Sequence, residues 1–143
     1  VRWLRGTFLL YLAAVLALTM WPSLGETGVP GWAQNTATFL SRLGIRATVD
    51  GLEMASNWVM FLPFGVLGVL LVAPARPRWR AGLLVLAVAV AGFVFSGAIE
   101  TVQLAIPGRV STLQDVVLNG TGALAGALAA AGVRAWSLRR RRS

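Results

Sequence analysis

Apolar residues fall into four long stretches, joined by two short polar links and one long connection. The first stretch runs from about Leu4 to Trp21 and is closed by Pro22; the second runs from about Asn57 to Ala73 and is closed by Pro74. The third runs from about Ala81 to Glu100 and the fourth, rich in Gly and Ala, from about Thr112 to Val133. As helices, each is long enough to cross roughly 30 Å of hydrocarbon. The pattern predicts an all-α membrane protein: four transmembrane helices in a compact bundle, one domain over residues 1–143 with a basic tail at 134–143. In the long connection from Ser23 to Ser56, Trp32, Thr36, Phe39, Leu40 and Leu43 recur at helical spacing. That spacing predicts a short interfacial helix in the first outer loop, with an irregular loop as the alternative. The bulky Met20-Trp21-Pro22 offers no small-x-small cleavage site, so the first stretch reads as a retained anchor and not a cleaved signal peptide.

Charge orients these spans. Arg2 and Arg5 precede span one, Arg76, Arg78 and Arg80 fill the link between spans two and three, and Arg134 and Arg139 to Arg142 follow span four. The other two connections hold Arg42, Arg46 and Arg109. An excess of basic residues marks the cytoplasmic side, so both termini are expected there, in a multi-pass protein of the cell membrane. An even number of spans agrees with that assignment. Trp3, Trp21, Trp79 and Trp136 fall near the predicted boundaries and read as interfacial anchors.

Composition narrows the chemistry. Of the 143 residues 57% are hydrophobic and only 13% charged, about half the charged share of a soluble domain. The net charge of +8 would suggest nucleic acid in a soluble protein, but four lipid-buried stretches exclude that partner, and the Arg tail reads as an orientation signal facing anionic lipid. There is no Cys and no His, which removes thiol chemistry, the commonest general base and the commonest metal ligand. No nucleotide loop, zinc site or Ser–His pair is present, no catalytic residue is assigned, and neither a metal nor a cofactor is expected.

Under this topology the unusual polar residues gather at the outer side. Asn57 opens span two, Glu100 ends span three with Gln103 one turn further, Arg109 lies in the turn Pro107-Gly108-Arg109, and Asp115 and Asn119 share one face at the start of span four. These six residues, Asn57, Glu100, Gln103, Arg109, Asp115 and Asn119, are the candidate ligand-binding pocket. A carboxylate costs about 2.5–3.5 kcal/mol at a helix centre, so groups at such depth face the bundle interior or a wet cavity and have partners. Arg109 is the nearest counter-charge for Glu100, with a fork suited to a bidentate carboxylate pair. Structural roles compete: Thr112 and Asp115 fit a capping box, and Asn57 and Asn119 fit hydrogen bonds between helices. Gly122, Gly126 and Ala130 recur at every fourth position, a stripe that suits close packing inside the bundle or a homo-oligomer through the same face. Pro63, ahead of Gly65 and Gly68, predicts a kink in span two.

Taken in order, Asn57-x-x-x-Phe61-x-Pro63-x-Gly65, Glu100-x-x-Gln103, Pro107-Gly108-Arg109 and Asp115-x-x-x-Asn119-x-x-Gly122 resemble the VanZ-like family over nearly the whole chain. The resemblance implies a small bacterial integral membrane protein; the family's namesake is associated with low-level resistance to the glycopeptide teicoplanin. The leading expectation is a cell-envelope protein that holds the head group of an envelope lipid, or of a lipid-linked cell-wall precursor, in its outer pocket, with an influence on glycopeptide susceptibility. The alternatives are a membrane enzyme using Glu100 and Asp115 as acid and base or to hold Mg²⁺, and a structural or assembly scaffold.

Overall fold

The computed structural model describes residues 2–20, 31–44, 48–75, 80–106 and 111–140. Five helices make up the described chain: α1 Arg2–Met20, α2 Gly31–Arg42, α3 Val49–Ala75, α4 Ala81–Gln103 and α5 Leu113–Arg140. Helices α1, α3, α4 and α5 are long and apolar enough to cross a membrane. They correspond to the four predicted stretches, and the long connection is helical over α2, where the spacing lies.

The ends differ from the hydropathy reading in one consistent way. Span two was expected to open at Asn57, yet α3 begins two turns earlier. Residues 49–56 include Asp50, Gly51, Glu53 and Ser56, too polar to register as an apolar stretch, but helix formation does not need lipid. Thr48 caps the start: its Oγ1 accepts the Gly51 N–H at 3.1 Å, and Asp50 places a carboxylate in the first turn, where the helix dipole favours it. Similarly α4 continues to Gln103 and α5 to Arg140, past the apolar residues that define the spans.

The bundle is organised around α5, which packs most extensively on α3 and next on α4. Glycines explain the first contact. A Cβ on Gly122 would run into the Trp58 carbonyl, one on Gly126 into the Leu62 carbonyl, and one on Gly65 into the Ala123 carbonyl. Three Cβ atoms are therefore missing where the two backbones touch, which is how small residues hold membrane helices together without a hydrophobic driving force. The stripe offered for self-association is used inside the single chain: Gly122 and Gly126 lie against α3, and Ala130 joins a core with Val69, Ala73, Leu84, Val85 and Val88. Pro63 lies within an unbroken α3, and in the same turn the Tyr11 hydroxyl donates to the Met60 carbonyl at 2.7 Å.

A second core, Val15, Phe61, Phe64, Ile99 and Ala123, gathers residues from all four long helices. Phe8, Phe61, Phe64 and Phe95 stack or meet edge-on there, with ring centroids 5.5–6.1 Å apart. The outward faces stay apolar, with Leu9, Leu10, Leu86, Val94 and Leu128 exposed as lipid-facing residues would be. Helix α1 is attached more lightly than the other three long helices, and among the described residues α2 meets only α3.

Candidate functional site

Above the aromatic core the bundle opens into a cavity of about 940 Å³. It lies where α1 ends, α3 begins, α4 ends and α5 begins. Leu18 and Thr19 contribute from α1, Asp50 to Met60 from α3, Glu100 and Gln103 from α4, and Thr112 to Asn119 from α5. The alternating helix directions bring these four termini to one end. Arg2, Arg5, Arg80, Arg134, Arg139 and Arg140 lie at the opposite end. Trp136 is there too, with the Arg140 guanidinium 3.7 Å from its ring centroid.

Helical spacing aims the side chains inward. Asp50, Glu53 and Asn57 stand three and four residues apart on one face of α3; Ser96, Glu100 and Gln103 do the same on α4, and Asp115 and Asn119 on α5. Five of the six candidate residues, Asn57, Glu100, Gln103, Asp115 and Asn119, line the cavity together. Arg109 and the turn Pro107-Gly108-Arg109 lie outside the described residues, as do Trp21, Trp79 and the side chain of Trp32.

Thr112 is the hub that ties the walls. Its Oγ1 donates to Asp115 Oδ2 at 2.8 Å and accepts the Asp115 N–H at 3.1 Å, so the capping box is half formed within α5. In such a box the third-position carboxylate usually turns back to the cap's own N–H. Here Glu100 takes that place from α4, its Oε2 accepting the Thr112 N–H at 3.0 Å. The other oxygen of Asp115 accepts from Asn57 Nδ2 at 2.6 Å, joining α3 to α5. Three of these four bonds are accepted by the carboxylates of Glu100 and Asp115, and bonds to charged groups are worth about 1.5–3 kcal/mol each. Glu100 is 7% exposed, so the bond to Thr112 offsets part of its desolvation.

Two further bonds close the box. Gln103 Nε2 donates to the Thr19 carbonyl at 2.8 Å, holding the end of α1 to α4. Deeper, Asn119 Nδ2 donates to Ser96 Oγ at 2.9 Å, and both residues are buried. Among the described residues the Asn119 Oδ1 has no partner. Ser96, Thr19, Asp50 and the deep role of Thr112 extend the site beyond the six candidates. The repeat of polar residues every three or four positions, read backwards from Glu100 and Asn57, points to Ser96, Glu53 and Asp50. Among the described residues no three acidic side chains converge closely enough to hold a metal ion.

Four membrane-length helices closing round a polar recess at one end define a small polytopic membrane protein, its recess built from the same helix ends that carry the sequence motifs. The chain belongs to the VanZ/LLP1 family, whose pattern matches residues 8–134 and so takes in the whole cavity. Among curated proteins and among solved structures, none matches the chain.

Proposed function

We propose that this protein is a cell-envelope factor that holds the head group of an envelope lipid, or of a lipid-linked wall precursor, in the polar cavity. The observation that carries the reading is the cavity itself: about 940 Å³, walled by polar groups from all four long helices, at the arginine-poor end of the bundle. Its volume falls in the range of small-molecule sites. With the arginines on the cytoplasmic side, both termini are cytoplasmic, the cavity faces outward, and α2 lies along the outer interface. Head-group atoms at that level meet the polar walls while acyl chains stay beside the apolar helix faces. In a cell exposed to a lipophilic glycopeptide such as teicoplanin, occupancy of this site changes how the drug reaches the membrane or its target.

Native mass spectrometry of the protein purified gently from its own membranes tests the reading. A specific lipid should stay bound to the wild type and be lost in Glu100→Gln, whose amide oxygen still accepts the Thr112 N–H and so preserves the fold. Equal thermal stability of the two proteins is the control. Bare protein in both samples, or lipid retained equally by both, would count against a head-group site.

A further inference from the structure

Among the described residues the cavity wall gathers charge of one sign. The whole chain has five acidic residues and a net charge of +8, yet Asp50, Glu53, Glu100 and Asp115 all line this one recess. No basic side chain is among the described residues of its wall. Glu100 is buried and Asp115 half-buried, and drawing two carboxylates away from water round one space is costly unless something positive is met there. Asn119 supplies an independent observation. It is 3% exposed, forms part of the wall one turn deeper than Asp115, and its Oδ1 accepts no hydrogen bond from the described residues. A buried acceptor left without a donor costs roughly 1–3 kcal/mol, so native structures rarely leave one unless a ligand or water completes it. Carboxylate oxygens and a free amide oxygen are all acceptors. The complementary ligand therefore donates hydrogen bonds and bears positive charge.

The acids also differ in their freedom. Asp115 and Glu100 are engaged by Thr112 and Asn57, whereas Asp50 and Glu53 are exposed on the first turns of α3, at the rim. Spread along the cavity and not converging on a point, the carboxylates suit an ammonium group on an extended molecule better than a bare metal ion. We infer that the head group bound here carries a protonated amine, which the rim acids Asp50 and Glu53 attract and the deeper acceptors hold. This inference rests on the head-group reading above and narrows it to one chemical class.

The test is a native mass spectrometry titration of the full-length protein in detergent with four probes. Short-chain phosphatidylethanolamine carries the ammonium, and its N-acetyl derivative keeps the phosphate and chains but loses that charge. Short-chain phosphatidylglycerol carries no nitrogen, and glycerophosphoethanolamine keeps the amine without chains. The expected result is binding of the ammonium lipid about tenfold tighter than either chain-bearing control, a preference that falls severalfold in the double variant Asp50→Asn, Glu53→Gln. Both substitutions are at exposed positions and keep the shape, so the variant folds. Equal binding of the three lipids would overturn the ammonium inference while leaving the head-group site standing. Binding of none of the probes, by protein of unchanged thermal stability, would overturn both. Glycerophosphoethanolamine binding as well as its lipid would uphold the ammonium and move its carrier from a lipid to a soluble amine.

Discussion

At the scale of single residues, one threonine decides how the cavity end of the bundle is held. Thr112 donates and accepts through its hydroxyl and donates through its backbone N–H, and through these bonds Glu100, Asp115 and, at one remove, Asn57 become a single unit. Thr112→Ala removes the hydroxyl bonds but leaves the N–H for Glu100. It is expected to cost about 1 kcal/mol, as lost caps do, while Thr112→Ser stays within a few tenths of wild type. Thermal unfolding followed by circular dichroism in detergent measures both. Five of the site residues were legible in the sequence because an amide or carboxylate at such depth is expensive and has to be accounted for. Ser96 carries only the weaker signal of its spacing from Glu100, and Thr19 carries none. A serine inside a helix commonly satisfies its hydroxyl on its own backbone, and the Thr19 carbonyl that accepts Gln103 is a group every residue carries.

At the scale of helices, the α3–α5 seam determines whether the cavity has walls at all. The stripe Gly122-x-x-x-Gly126-x-x-x-Ala130 announces a close approach in the sequence, but not its partner, since the same spacing serves a second copy of the chain as well. The structure pairs it with the carbonyls of Trp58 and Leu62, directly below Asn57. Gly126→Val therefore puts carbon where the Leu62 carbonyl lies and forces α3 off α5. The expected outcome is loss of the monodisperse folded species on size-exclusion chromatography. Gly132→Ala, with open space around it, should shift stability by no more than about 0.5 kcal/mol. Helix boundaries were the less legible part. Hydropathy detects where a helix is greasy, so it stops at Asn57 and at Val133, whereas α3 and α5 carry on through polar turns held by a Thr48 cap and by good helix formers.

At the scale of the molecule, charge divides end from end: described arginines of α1, α4 and α5 at one pole, the cavity acids at the other. The topology proposed above rests on this division, and the absence of native cysteine makes it simple to check. In intact cells a membrane-impermeant maleimide should label Glu53→Cys freely and Ser137→Cys only after lysis; the reverse pattern would invert the protein. Helix length adds a consequence. With 27 and 28 residues, α3 and α5 are each roughly 40 Å long at 1.5 Å per residue, about 10 Å more than the hydrocarbon layer. The surplus of α3 is its acidic first turns, and that of α5 its arginine-bearing last turns, so the two helices overhang opposite surfaces. The stability of the chain is therefore expected to depend on bilayer thickness. In nanodiscs of progressively longer acyl chains, melting temperature should hold until the layer reaches the Asp50 and Glu53 turns and then fall, because beyond that point the membrane has to thin or the carboxylates have to enter oil.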